Sequence, residues 1–313
     1  MIEVLKPGLL MSIQDLGRFG FRHLGVAQSG ALDTCAMQLA NALLENNKND
    51  AVIEITLGLG KLRFTCNTVI ALVGTDMNTQ LDDIPIYPGW TYPVKQGQIL
   101  SFKAAKNGLR GYLAVKGGIL CEPVMGSCAT DLAAGFGGAT GFSLKEGDLI
   151  KVKPYDNPWP KRGAILPPKR HVIRIHPSIH ADLLTSQTLH SFCATQWYVK
   201  PQSNRMGVRL SNENTTLAHS HSLPSLAVSP GSIQLPPNGD PIVLLNDAQT
   251  TGGYPLLGTV ISADLFHFAQ LKPGDTVSFE YVNKQIAEHA QKKIDAHFAQ
   301  LSIVMNNRGR SLP

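Results

Sequence analysis

The sequence predicts a mainly β protein, of barrel or sandwich type, divided into two domains. Three observations lead there. Apolar runs are short, many alternate with polar residues, and turn residues separate them, which is the pattern of strands rather than helices. Glycine (29) and proline (20) are abundant among the 313 residues, while only 16% are charged, a strand-and-turn composition. A Pro-rich stretch runs from Asp156-Asn157-Pro158-Trp159-Pro160 to Pro167-Pro168 and separates two strand-dense halves. The domains are therefore placed at 1–160 and 169–282, followed by a C-terminal helix and tail at 283–313.

In the first half, residues 1–6 alternate as a strand. Ser12 to Gly20 and Gly25 to Asp33 read as loops by composition. Ser29 or Asp33 caps a helix to about Leu44, with Ala36, Met37, Ala40, Leu43 and Leu44 on one face. Strands follow at Ala51–Thr56, Lys61–Cys66, Val69–Val73, Thr79–Leu81, Gln98–Phe102 and Gly111–Val115. Thr91–Val94 adds a strand that Pro93 confines to an edge. Gly135 to Gly141 lacks Gly-x-x-x-x-Gly-Lys-Ser/Thr and is not a phosphate loop.

In the second half, His171–His176 restarts as an alternating strand, and a helix is expected near Ser178–Leu184. Further strands fall at Gln196–Val199, after Asn204-Arg205-Met206-Gly207, at Pro241–Leu245, at Leu256–Ile261 and at Thr276–Tyr281. Residues 283–301 form an amphipathic helix, with Ile286, Ala290, Ile294 and Phe298 at steps of four. Asn306–Pro313 reads as a frayed tail. Lys145-Glu-Gly-Asp148 and Lys272-Pro-Gly-Asp275 repeat one turn before a strand in each half, an indication of internal duplication.

Composition also excludes classes of function. No apolar run approaches the roughly 20 residues of a membrane span, and the first residues lack a signal-peptide pattern, so a soluble cytoplasmic protein is expected. The net charge of +5 is modest, and no basic run carries interleaved aromatics, so nucleic acid is not an expected partner. Five cysteines, an odd number without Cys-x-x-Cys spacing, predict scattered reduced thiols and no zinc site. His171, His176 and His180 match no metal-ligand spacing.

Two polar loops stand out. The first carries Gln14, Asp15 and Arg18, then Ser29, Gly30 and Asp33. The second, Asn246 to Pro255, carries Asp247, Gln249, Thr250, Thr251, Gly252, Gly253 and Tyr254. A loop of this kind commonly satisfies its own backbone through Asx and ST turns. The functional alternative is a small-molecule site, with the arginine's planar donor fork as an anion seat. Glycines 252 and 253 are expected to supply positive φ or close backbone approach.

Read together and in order, Ser12-Ile-Gln-Asp-Leu-Gly-Arg18, Ser29-Gly-Ala-Leu-Asp33, Arg110-Gly-Tyr-Leu-Ala-Val-Lys-Gly-Gly118, Ser203-Asn-Arg-Met-Gly207 and Gln249-Thr-Thr-Gly-Gly-Tyr-Pro255 resemble the allophanate-hydrolase-subunit-2 family, also called the biotin-dependent carboxyltransferase-like family. The resemblance implies two related cyclophilin-like β-barrel domains. Two positions depart from the family pattern. Cys128-Ala129 stand where Arg-Ser is common in Gly-Ser-Arg-Ser-Thr, and Leu44-Glu45-Asn46 stand where Val-Gly-Asn is common.

Free-standing members of this family are similar to the C subunit of the ATP-dependent 5-oxoprolinase. The resemblance therefore implies that the chain pairs with the B subunit to phosphorylate 5-oxo-L-proline, before the A subunit hydrolyses the ring to L-glutamate. ATP is then a co-substrate, with Mg²⁺, and no biotin is expected on this chain. Arg205, Asp247 and Lys116 are the catalytic candidates. Gln14, Asp15, Arg18, Ser29, Gly30, Asp33, Gln249, Thr250, Thr251, Gly252, Gly253 and Tyr254 are the substrate-binding candidates. Asp15, Asp33 and Asp247 are expected to orient the cations or hold Mg²⁺. The alternatives are the carboxyltransferase component of a biotin-dependent urea carboxylase, as in fused members, and a non-enzymatic partner that binds a kinase inhibitor.

Overall fold

Period-two alternation in the first strands decides which side chains meet which core. The structure, a computed structural model, describes residues 1–217, 219–221 and 223–307. It divides into two units: residues 1–18, 29–167 and 296–313 form unit 1, and residues 19–28 and 168–295 form unit 2.

In unit 1 the strands are β1 (Ile2–Pro7), β2 (Leu10–Gln14), β3 (Val52–Thr56), β4 (Gly60–Phe64), β5 (Thr68–Gly74), β6 (Gln80–Leu81), β7 (Ile84–Pro85), β8 (Trp90–Val94), β9 (Ile99–Ser101), β10 (Arg110–Val115) and β11 (Leu149–Ile150), and helix α1 (Thr34–Leu43) lies between β2 and β3 in the chain. They make a sheet ordered β11-β1-β4-β9-β6-β7 and a second ordered β2-β3-β10-β5-β8. Ile2, Val4, Leu62 and Leu100 from the first sheet meet Ile13, Ile53, Ile55, Ile70, Leu72, Leu113 and Val115 from the second in one core. The alternate residues Val52, Val69, Ala71, Val73, Tyr112 and Ala114 point the other way and are covered by Ala36, Leu39, Ala40 and Leu43 of α1. The second sheet is thus buried on both faces, which is why β5 and β10 read as continuous apolar runs. β8 lies at a sheet edge, as Pro93 requires.

In unit 2, β12 (Val172–Pro177), β13 (Trp197–Val199), β14 (Gly207–Ser211), β16 (Ser232–Gln234), β17 (Ile242–Leu244), β19 (Leu256–Val260) and β20 (Thr276–Tyr281) close a barrel in the order β12-β19-β16-β17-β14-β13-β20. β15 (Leu226–Ala227) and β18 (Thr251–Gly252) form a separate ribbon. The helices are α2 (Ser186–Ala194), α3 (Ser262–Leu265) and α4 (Lys284–Asn307). Phe192 of α2 stacks on Phe279 of β20 with ring centroids 4.7 Å apart. Ala287, Ala290 and Ile294 of α4 pack on Ile261, Ala263 and Val282 of unit 2. Beyond Ala296 the helix belongs to unit 1, where Phe298, Leu301 and Met305 join the cluster over α1. Among the described residues no helix is long and apolar enough to cross a membrane. Residues 308–313 of the expected frayed tail lie outside the described residues.

The repeated turn has the same geometry in both units. Gly147 and Gly274 take φ of +87° and +88°. Lys145 N donates to Asp148 Oδ2 at 2.7 Å, and Lys272 N to Asp275 Oδ2 at 2.8 Å. Each glycine then donates to a strand valine, Gly147 N to Val4 O and Gly274 N to Val199 O. Val4 N and Val199 N donate in return to Asp148 O and Asp275 O. This matched set of bonds supports duplication at the level of local structure.

Three expectations need correction. Ser12–Gln14 belong to β2, paired with β3, and not to a loop. Their polar side chains are satisfied inside the sheet: Gln14 Nε2 donates to Ser12 Oγ and to Thr130 O. The helix expected at Ser178–Leu184 is one 3-10 turn, Ala181–Leu183, and the true helix follows it at α2. There Thr185 Oγ1 accepts from Thr188 N as cap, but Phe192 is the helix's one buried residue, so the apolar period is faint. Finally, Cys121 and Cys128 form a disulfide, where scattered thiols were expected; Cys35, Cys66 and Cys193 are free.

Candidate functional site

In unit 1 the first polar loop is buried. Asp15 is 3% and Arg18 1% exposed, so any charge here must be matched internally. Asp15 Oδ1 accepts from Gly17 N at 2.8 Å and Ser127 Oγ at 2.6 Å, while Oδ2 accepts from Cys128 N at 2.6 Å. Arg18 donates through Nε to Val124 O at 3.0 Å and through Nη2 to Ala129 O at 2.6 Å, with Phe136 under its guanidinium. The disulfide closes residues 121–128, so the carbonyl and amide that receive these side chains lie on one tethered loop.

Ser29 and Gly30 are both left-handed, at φ 55° and 88°. A Cβ on Gly30 would meet the backbone of Gly17 at 2.7 Å, which explains why glycine stands where the two chain segments cross. Gly30 N donates to Gln14 Oε1, and Asp33 caps α1 by accepting from Ala36 N at 2.8 Å. Gln14 is thus bonded to Gly30, and Asp15 and Arg18 are held by residues 124–129; Ser29 and Asp33 are buried as well, with no hydrogen-bond partner for Ser29 Oγ among the described residues. Lys116 is apart from these residues, at the C-terminal end of α1. Its Nζ donates to Leu44 O at 2.8 Å, and it faces Glu45 and Trp159. Glu45 itself has φ 53°, a conformation that glycine adopts without strain, at the family's usual Gly position. Its carboxylate pairs with Arg162 at 2.6 Å.

The second loop, in unit 2, is built differently. Arg205 and Asp247, 4% and 5% exposed, form a bidentate pair: Nε to Oδ2 at 2.8 Å and Nη2 to Oδ1 at 2.9 Å. Backbone bonds from Asp247 N to Arg205 O and from Leu245 N to Met206 O bring their segments together. Thr251 and Gly252 pair with β15, and Val228 N donates to Thr250 O. Arg22, which belongs to unit 2, donates to Val228 O at 2.6 Å and Gln249 O at 3.1 Å and so holds both turns. Neither Gly252 nor Gly253 has positive φ. Gly252 is required by close approach, because a Cβ there would land on Gln234 Nε2.

Beside this loop lies a cleft of about 550 Å³, within the usual range for small-molecule sites. It runs across β16, β17 and β14, on side chains that alternate with the buried Ile233, Val243 and Val208. Gln249 and Tyr254 are the sequence-predicted residues on its wall. Lys200, Asn204, Arg209, Gln234, Asn238 and Asp240 supply the rest of its polar lining, and Ile242 and Leu244 its apolar part. Lys200 and Asp240 pair at 3.0 Å. Sequence reasoning missed Gln234, Lys200, Arg209 and Arg22. The one available signal was Gln234, a polar residue inside the apolar run Ile233-Gln234-Leu235.

Asp15, Asp33 and Asp247 do not fit the expected Mg²⁺ role, since each carboxylate already accepts from the groups named above. Among the described residues no cluster of three or more His, Cys, Asp or Glu side chains suits a metal ion. Elsewhere in unit 2, burial lowers the His267 imidazole from 6.5 to about 4. Burial, with Asp33 as a smaller contribution, pushes the Cys35 thiol well up, which leaves it inert as a nucleophile.

Residues 24–281 match the family described as carboxyltransferase domain, subdomain A and B. This chain belongs to that family. Over 308 residues it is 38% identical to the C subunit of 5-oxoprolinase from Escherichia coli K12, covering 98% of this chain and 99% of that one. The protein of the same name from Haemophilus influenzae is 37% identical, covering 98% and 100%. Among solved structures, the urea amidolyase of K. lactis superposes with a TM-score of 0.86 at 30% identity; the match covers 96% of this family member but 20% of the larger enzyme. The chain is thus similar both to 5-oxoprolinase C subunits and to a part of urea amidolyase.

Proposed function

We propose that this chain is one component of an ATP-dependent 5-oxoprolinase. It pairs with a B-type partner to phosphorylate 5-oxo-L-proline, and an A-type partner then hydrolyses the activated ring to L-glutamate. One observation carries the reading: the match to the two 5-oxoprolinase C subunits runs end to end on both sides, whereas the urea amidolyase match occupies a fifth of that enzyme. The unit 2 cleft supplies suitable chemistry. The substrate has a lactam and a carboxylate; the cleft wall has the Gln234 amide, the Tyr254 hydroxyl and the Lys200 and Arg209 cations. Phosphoryl transfer is mainly a matter of positioning and charge stabilisation. This chain's contribution is to seat the substrate, with cations and amides, where the partner presents ATP.

Co-expression with the two partners tests the reading. The B-type partner should co-purify, and the pair should release ADP only with 5-oxoproline present. Glutamate should appear only when the A-type partner is added. Conversion of 5-oxoproline and ATP to glutamate by this chain alone would overturn the division of steps. Urea in place of 5-oxoproline tests the reading that the urea amidolyase fold suggests. An inert three-component mixture whose C-type chain binds a kinase inhibitor would favour the regulatory alternative.

A further inference from the structure

Gln234 carries a feature that the loop motif does not account for. It is 2% exposed, yet it lies on the cleft wall. Its Nε2 has no hydrogen-bond partner among the described residues. Its Oε1 accepts only a long contact, 3.4 Å, from Nε2 of the exposed Gln249. A buried amide donor without an acceptor costs about 1–3 kcal/mol, and at a cleft wall a ligand can supply that acceptor. Gly252 is the second observation. A side chain there would occupy the position of Gln234 Nε2, so the ribbon backbone is cut back to make room for this amide.

We propose that Gln234 is the substrate-reading residue of the cleft and takes the edge of a cis-amide, an N–H and a C=O on the same side, as in a lactam. This rests on the 5-oxoprolinase reading above. A primary amide presents a donor and an acceptor side by side, and a cis-amide presents the complementary pair. Gln234 Nε2 donates to the ligand C=O, and Gln234 Oε1 accepts from the ligand N–H. The two bonds form together only with a cis-amide, so an ordinary peptide and the open-chain product glutamate both fail the test. The Gln249 amide stands where the ligand N–H would be, at a distance that makes it easily displaced. Gln249 is thereby a cap that the ligand exchanges with, and its removal lowers the barrier to binding. A urea molecule presents the same edge, so the chemistry is shared and the source is decided by experiment.

Calorimetric binding to the complex of this chain with its B-type partner tests the assignment. The probes are 5-oxo-L-proline, 2-pyrrolidinone (the lactam without the carboxylate), L-proline (the carboxylate without the lactam) and urea. The wild-type complex should bind 5-oxoproline, bind 2-pyrrolidinone more weakly, and ignore proline. Gln234→Glu removes the donor and Gln234→Met removes the pair; each should weaken both lactams tenfold or more at an unchanged melting temperature. Gln249→Ala, at an exposed position that tolerates change, should tighten 5-oxoproline a few-fold. Folded Gln234 variants that bind like wild type overturn the assignment. If both Gln234 variants melt early, Gln249→Ala decides: tightening supports the proposal, and unchanged or weaker binding overturns it. Urea binding with indifference to lactams keeps the amide edge but overturns the lactam as ligand. A wild-type complex that binds no amide probe overturns the functional reading as well, an outcome distinct from the loss of Gln234 specificity alone.

Discussion

The two polar loops look alike in sequence and are used in opposite ways. In unit 1, Asp15 and Arg18 are each turned onto the 121–130 segment, through its backbone and the Ser127 hydroxyl, and the loop holds one piece of chain against another. In unit 2, Arg205 and Asp247 are turned onto each other, and this pair anchors a loop whose neighbours Gln249 and Tyr254 remain on an open cleft. The difference lies in burial. A loop whose charged side chains are held on internal partners is scaffold, whereas a loop with one sealed ion pair and an exposed amide and hydroxyl beyond it, Gln249 and Tyr254, can receive a ligand. Polar composition alone does not distinguish the two.

The largest expected effect comes from breaking the unit 2 anchor. Arg205→Ala leaves the Asp247 carboxylate buried with its bidentate partner gone, a loss on the order of 3–5 kcal/mol in stability. The double variant Arg205→Met with Asp247→Leu removes both charges and should recover much of that loss. Urea denaturation measures both. If Arg205→Ala melts like wild type but abolishes turnover in the reconstituted enzyme, the pair is catalytic rather than an anchor, and the comparison drawn above fails.

Much of the fold was legible because its signal is local. Val69–Val73 and Thr276–Tyr281 are apolar or alternating runs bounded by turns, and the structure has strands there. Ser29 or Asp33 before an amphipathic run predicted a capped helix; the helix is present, and Asp33 is its cap. What stayed hidden depends on distant partners. β2 was read as loop because Ser12 and Gln14 are polar, and only the sheet shows that they satisfy one another and Thr130. The Cys121–Cys128 bond has no sequence signature at that spacing. On the candidate cleft, Gln249 and Tyr254 stand in a motif that the sequence singles out. Gln234 does not, since its meaning comes from a missing partner in three dimensions.

Acid should sharpen the contrast, with an effect on the order of 3 kcal/mol, at about 1.4 kcal/mol for each pH unit between the unfolded and folded pKa. His267 sits in the 3-10 turn Phe266–Gln270, tilted against Phe266, and feels the paired Asp264 and Arg174 together with Arg170 and Lys169. Burial is the main cause of its fall from 6.5 to about 4; Asp264 opposes the shift and the cations add to it. The folded imidazole is thus harder to protonate than the unfolded one. Its contribution is fully present above pH 6.5 and is lost as the pH falls from 6.5 towards 4. His267→Phe should flatten this limb of the stability–pH curve, and an unchanged slope would remove His267 from the account.

Reduction tests unit 1 in the same terms. The Cys121–Cys128 bond spans a separation of seven residues, and closing so short a loop contributes about 2–3 kcal/mol in the chain-entropy description. Dithiothreitol, or Cys121→Ala with Cys128→Ala, should therefore destabilise the chain by roughly that amount. Amide exchange should accelerate first at Cys128, whose N–H is bonded to Asp15, and then around Arg18. Exchange that speeds up uniformly across unit 1 would mean that the loop is not a separate scaffold element.

The smallest effect on stability is expected at Lys200, and that smallness makes it useful. Lys200 and Asp240 pair at 3.0 Å with side chains 35% and 28% exposed. A pair that solvent reaches on this scale contributes roughly 0–1 kcal/mol, because water screens it and two long side chains lose freedom to form it. Lys200→Met keeps the aliphatic stem on the cleft wall and removes only the cation. Its melting temperature should stay within a degree or two of wild type. If the cleft seats a carboxylate, the KM for 5-oxoproline should rise severalfold while kcat changes little, since an anchor remote from the reacting bond contributes uniform binding. The affinity for 2-pyrrolidinone, which has no carboxylate, should not move. An equal loss for both ligands would place the charge effect on the cleft as a whole rather than on the carboxylate. The unit 2 loop would then be set apart from its unit 1 counterpart by shape and not by the ligand it receives.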